Sequence, residues 1–145
     1  MPYSVNFNRL KRYYPENQRQ TLAEYDNSIL YNDYIVSELM NLYAAKEAIV
    51  FYFSDHGLDV FNSQSDYVGH ARHNVPKSAE SGLQIPFMVY LTPAYRQAFP
   101  EMSKRVEQAV NKPFCTQNMI CTIMDVIGVE FKNNNAVQQH SLFAL

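Results

Sequence analysis

Ala48-Ile49-Val50-Phe51-Tyr52-Phe53-Ser54-Asp55-His56-Gly57 is the stretch whose reading decides the fold. Six apolar residues, mostly β-branched or aromatic, run without interruption into a Ser-Asp-His-Gly turn. Such a run reads as a strand buried on both faces, as in a parallel sheet covered by helices. Ligand sites in sheets of that kind form beyond the carboxyl ends of the strands. A carboxylate and an imidazole side by side at that point, followed by a glycine that lets the chain turn, have the donor chemistry of two metal ligands. Residue type alone leaves a second reading of Asp55 and His56 open, as caps of the turn after the strand.

Outward from this strand, the composition sets bounds. A chain of 145 residues, 47% hydrophobic and 18% charged, is long enough to bury a core and too apolar to stay disordered. Its net charge is −2, with Lys and Arg scattered, which argues against a nucleic-acid surface because phosphate binding needs a basic face. No apolar stretch reaches the roughly 20 residues that span a bilayer, and the first residues lack a signal-peptide pattern, so the chain as written reads as soluble. Cys115 and Cys121 lie six apart in an expected helix, on different faces, and read as small buried hydrophobes rather than a redox pair.

Upstream, residues 1–17 show no periodicity and read as an irregular lead-in. A long helix is expected from about Gln18 to Ala45, with Leu22, Tyr25, Ile29, Val36, Leu39, Met40 and Tyr43 forming one apolar stripe. Asp26 and Asp33, seven apart, share a face of that helix; acid–base work and a solvated edge are both open to them. Downstream, Ser54 to Gln84 is polar and reads as a long functional loop. Ile85 to Leu91 reads as a second strand with proline near its start, and Thr92-Pro93 opens a helical turn. Glu101 to Val110 reads as a surface helix with Pro100 before it, and 115–127 as another, with Thr116 as N-cap and Gly128 as its stop. Lys104, Arg105 and Lys112 form a weak basic cluster that reads as a solvated face, as do His73 and His140. The Asn133-Asn134-Asn135 tail is turn-like. Helix, strand, loop, strand, helix is α/β order, with a mostly parallel sheet and helices on both faces.

Several segments together resemble one family. They are Tyr25-Asp26-Asn27-Ser28-Ile29-Leu30-Tyr31-Asn32-Asp33-Tyr34, Phe51 to Gly57, Gly69-His70, Ile85 to Leu91, Asn111-Lys112-Pro113-Phe114 and Ile123 to Val129. Their order and spacing resemble the sulfatase-fold phosphoethanolamine transferases over nearly all of residues 13–131. The resemblance implies an alkaline-phosphatase-like fold, of which residues 1–145 are the carboxyl-terminal portion of the catalytic domain. It implies zinc as cofactor, with Asp55 and His56 matching paired zinc ligands. His70 matches a catalytic histidine that faces the transferred phosphate or a second metal.

In that family a threonine nucleophile carries phosphoethanolamine between a phospholipid donor and a lipopolysaccharide acceptor, its lipid A or core. The parent enzyme is expected in the inner membrane with a periplasmic catalytic domain. The nucleophile and the remaining zinc ligands of the family lie upstream of the matched region, so this chain alone is expected to be inactive. Other sulfatase-superfamily hydrolases or phosphoglycerol transferases, and a non-catalytic remnant, are the alternative readings. An exposed sheet edge left by missing strands would invite self-association. One position departs from the family: Leu58 stands where an acidic residue usually follows Ser-Asp-His-Gly, with Asp59 next as a candidate substitute.

Overall fold

The computed structural model describes residues 13–62, 66–70, 75–129 and 139–144. Helix α1 (Glu16–Tyr43) leads into strand β1 (Ile49–Phe53), followed by β2 (Asp59–Val60), β3 (Val68–Gly69) and helix α2 (Pro76–Leu83). Then come β4 (Phe87–Leu91), α3 (Pro93–Ala98), α4 (Pro100–Gln108), a 3₁₀ turn at Thr116–Asn118 and α5 (Met119–Val126). Two compact units emerge: the first comprises Met1–Leu42 and Phe51–Met88, the second Tyr43–Val50 and Val89–Leu145. His73 and the Asn133-Asn134-Asn135 tail fall outside the described residues.

The expected strands at 48–53 and 85–91 are present within a residue or two, and they neighbour each other in a two-stranded sheet. Their direction corrects the expected parallel sheet. In the second unit the start of β1 meets the end of β4, where the Thr92 N–H donates to the Ala48 carbonyl at 3.1 Å. In the first unit the end of β1 meets the start of β4, with Phe53 and Phe87 stacked at 5.7 Å between ring centroids. The pair is therefore antiparallel, and so is β2 with β3. Burial explains the misreading: β1 runs half-buried from Ile49 to Tyr52 and ends in an exposed Phe53, so it is not covered on both faces. An apolar run records what a strand is able to bury, not the direction of its neighbour.

In the second unit, Thr92 ties the elements together. It is wholly buried, donates its hydroxyl hydrogen to the Lys46 carbonyl at 2.6 Å, and accepts the N–H groups of Ala48 and Tyr95, each at 3.1 Å. One side chain thus anchors the strand pair and caps α3, whose Pro93 needs no donor partner at its first position. Leu91, Tyr95, Val106, Ala109, Met119, Leu142 and Phe143 form the buried apolar core of this unit. Burial pushes the Tyr95 phenol up from its ordinary pKa. Pro100 opens α4 as expected. The expected helix over 115–127 begins instead as the 3₁₀ turn, and α5 proper starts at Met119. Gly128, at φ +69°, ends it, and the Val129 N–H reaches back to the Met124 carbonyl at 2.9 Å. Cys115 is exposed and Cys121 half-buried, so they are not the two buried residues that composition suggested.

The basic cluster also divides differently from its expected solvated face. Arg105 is an internal tie: its guanidinium donates to Asp125 Oδ2 at 2.6 Å and to the Phe143 carbonyl at 2.8 Å. Lys112 donates to the Ala144 carbonyl at 2.7 Å. Lys104 and Lys112 are both exposed, as a solvated face requires, and Arg105 is the exception.

In the first unit, α1 starts at Glu16 and runs 28 residues. Its expected stripe is not a buried one. Ala23 is the helix's buried residue, whereas Ile29, Leu39 and Tyr43 are exposed. The supposed loop at 54–84 contains the β2–β3 hairpin and α2. Among the described residues, no helix is long and apolar enough to cross a membrane.

Candidate metal and phosphate site

The turn after β1 is built by short-range hydrogen bonds that a Ser-Asp-His-Gly sequence can make with itself. Ser54 Oγ donates to the His56 carbonyl at 2.7 Å, and the His56 N–H donates to Asp55 Oδ1 at 2.9 Å. Both readings of Asp55 meet here: one oxygen caps the turn, while the other, Oδ2, points toward the imidazole. His56 Nδ1 lies 2.8 Å from the Gly57 carbonyl oxygen. A carbonyl only accepts, so Nδ1 carries a proton, and in the neutral ring Nε2 is then the nitrogen with the lone pair. Nε2 stands 3.8 Å from Asp55 Oδ2, with the two side chains 45% and 86% exposed. Two ligands of a tetrahedral zinc at about 2 Å each stand about 3.3 Å apart, so these atoms would have to draw together slightly to share one ion. The donors suit zinc in type, and the fixed tautomer is the one a metal ligand needs.

His70 reaches this turn through the hairpin. Asp59 pairs with Gly69 and Val60 with Val68. Continued by one pair, the register sets His70 opposite Leu58, two residues from His56. The two imidazole rings are 4.3 Å apart between centroids and tilted by 50°. The structure thus brings together all three residues that the sequence singled out: Asp55, His56 and His70. Among the described residues, no group of three or more His, Cys, Asp or Glu side chains is poised to hold one metal ion. The set offers two donors with a histidine beside them.

Several supporting contacts escaped the sequence reading. Gly57 donates its N–H to the Gly82 carbonyl at 2.9 Å, which docks the end of α2 on the turn. A Cβ at Gly57 would collide with the Ser81 carbonyl oxygen and sit 2.9 Å from its carbon. Gly57 is not among the positive-φ residues, so it is required for space rather than for a sharp turn. Asn62 joins the same contact by donating from Nδ2 to Ser81 Oγ at 3.0 Å. Behind the turn, Asn32 Nδ2 of α1 donates to the Tyr52 hydroxyl of β1. Asp59, the candidate substitute for the absent acid, is wholly buried and accepts the Asn62 N–H at 3.0 Å, holding the turn after β2. Asp26 and Asp33 make no ion pair among the described residues.

Comparisons with known proteins identify the family of the chain. The Sulfatase family model matches residues 2–129. A Kdo(2)-lipid A phosphoethanolamine 7''-transferase of Escherichia coli K12 is 31% identical over 115 residues, 75% of this chain and 19% of the relative. The Salmonella typhimurium protein of the same name is 26% identical over 84% of the chain and 22% of the relative. Phosphoethanolamine transferase EptA of Salmonella typhimurium is 27% identical over 78% and 21%. The chain therefore spans about a fifth of the length of these curated relatives. No solved structure gives a significant match. With a family model covering most of its length and the Ser-Asp-His-Gly turn set against a histidine from the following hairpin, the chain belongs to the sulfatase family.

Proposed function

We propose that the chain is part of a zinc-dependent phosphoethanolamine transferase acting on lipid A, with Asp55 and His56 as zinc ligands and His70 facing the transferred phosphate. The observation that carries this reading is the contact of the His56 and His70 rings beside the Asp55 carboxylate. The names of the relatives support the substrate class.

Bound zinc would supply a Lewis acid for the phosphoryl oxygens. The chain's own residues do the rest. Gly57 fixes the His56 ring through its carbonyl, and the His56 N–H orients the Asp55 carboxylate. In this reading His70 donates a ring N–H to a phosphate oxygen and passes a proton to a departing oxygen. Two protein donors leave a four-coordinate ion short of ligands. On this reading the remaining protein ligands and the nucleophile are supplied from outside the described residues.

The consequence is an expected inactivity of this chain alone. Incubated with zinc and vesicles of phosphatidylethanolamine and lipid A, it should leave the lipid A mass spectrum unchanged. Appearance of phosphoethanolamine-modified lipid A would refute the shared-site reading and assign the whole reaction to these residues.

A further inference from the structure

We propose that Tyr67 is a positioning residue for His70, its phenol holding the His70 backbone so that the imidazole faces His56. This rests on the reading of His56 and His70 as parts of one site. The Tyr67 hydroxyl donates to the carbonyl oxygen of His70 at 2.6 Å, three residues further along. Its ring lies flat enough on the strand that a Cβ at Gly69 would meet the phenol oxygen at 3.1 Å and Cζ at 3.3 Å. The backbone of Tyr67 is fixed as well, since its carbonyl accepts the Phe61 N–H at 2.9 Å. Tyr67 is thus held at its main chain and along its ring, and it offers its one hydroxyl hydrogen to His70.

His70 needs that hold. It is exposed and lies just past the last paired residues of the hairpin, Asp59 and Gly69. Beyond the ladder, a residue has no cross-strand hydrogen bonds to fix its backbone. Among the described residues, His70 makes two contacts, the hydrogen bond from Tyr67 and the ring contact with His56. Without the first, rotation about the His70 backbone would carry the imidazole away from His56 at little cost. Tyr67 itself contributes no group to the metal or the phosphate; it acts through His70.

Tyr67→Phe tests this, because it keeps the ring and removes only the donor. In the zinc-free chain, NMR cross-peaks between the His56 and His70 rings should be present in the wild type and lost in the variant. The urea midpoint should barely move, since the ring stays packed. Ring cross-peaks unchanged in Tyr67→Phe would overturn the proposal. So would a variant that no longer folds, which would make the hydroxyl a determinant of the fold instead, and so would absent cross-peaks in the wild type. A Tyr67→Ala variant that alone loses the contact would assign the effect to the ring and overturn the role of the phenol. Failure of the wild type to bind zinc counts against the metal reading, whereas the ring contact in the metal-free chain still decides the case of Tyr67.

Discussion

Gly57→Ala should destabilise the first unit by upward of about 3 kcal/mol, more than an ordinary overpacked site. The reason is geometric. The added methyl would meet the backbone of α2, the Ser81 carbonyl and the Gly82 Cα at 3.1 Å, rather than the free end of a side chain. Backbone cannot step aside without breaking the hydrogen bond from the Gly57 N–H to the Gly82 carbonyl. The damage would fall on the turn carrying Asp55 and His56. Gly128→Ala is the informative contrast. That glycine has φ +69° but nothing within 4 Å of a new Cβ, so its replacement costs only the left-handed backbone penalty of about 1–2 kcal/mol. Urea denaturation followed by the amide resonances of Leu58, Asp59 and Val60 would measure the first effect. Gly57→Ala no more costly than Gly128→Ala would mean that α2 does not bear on the turn.

Arg105→Ala is the second large effect, at about 3 kcal/mol. Arg105 and Asp125 have side chains only 24% and 13% exposed, and the pair holds the carboxyl-terminal segment in place. Asp125 also accepts from the Ser141 hydroxyl, Ser141 Oγ in turn accepts the Phe143 N–H, and Phe143 is 1% exposed. Removing the guanidinium would strand a largely buried carboxylate and leave the Phe143 carbonyl without this donor. The other arginine pair, Arg96 with Glu107, is 50% and 61% exposed, and Arg96→Ala should cost less than about 1 kcal/mol. Hydrogen exchange at Thr122, Leu142 and Phe143 distinguishes the two. The expected result is faster exchange in Arg105→Ala alone; equal exchange in both variants would contradict it. An Arg105→Leu, Asp125→Leu double variant should recover part of the loss, because no charge is then left unpaired.

What the sequence made legible was local. Ser54 to Gly57 announced the end of a strand and a tight turn, because adjacent residues there determine one another's geometry. Thr92, Pro93, Pro100 and Gly128 marked boundaries for the same reason: capping and proline or glycine backbone preferences act within a turn. The segment after Gly57 was opaque. Its β2 and β3 are two residues each, too short for a period, and α2 has glycine and serines where an apolar stripe would be sought. The contacts of Gly57 with Gly82, and of Arg105 with Phe143, join residues far apart in sequence, and charge or size alone does not encode them. The stripe on α1 was read correctly as a pattern, yet periodicity states which residues a helix is able to bury, not whether a partner covers them. The antiparallel pairing of β1 and β4 was missed for the same kind of reason.

Zinc held by Asp55 and His56 is the central claim about this chain. Calorimetric titration of zinc into the chain, and into an Asp55→Ala, His56→Ala variant, tests it directly. The account predicts one weak site in the wild type, because two donors come from these residues, and no binding in the variant. Binding of equal strength in both chains, or none in either, would contradict it.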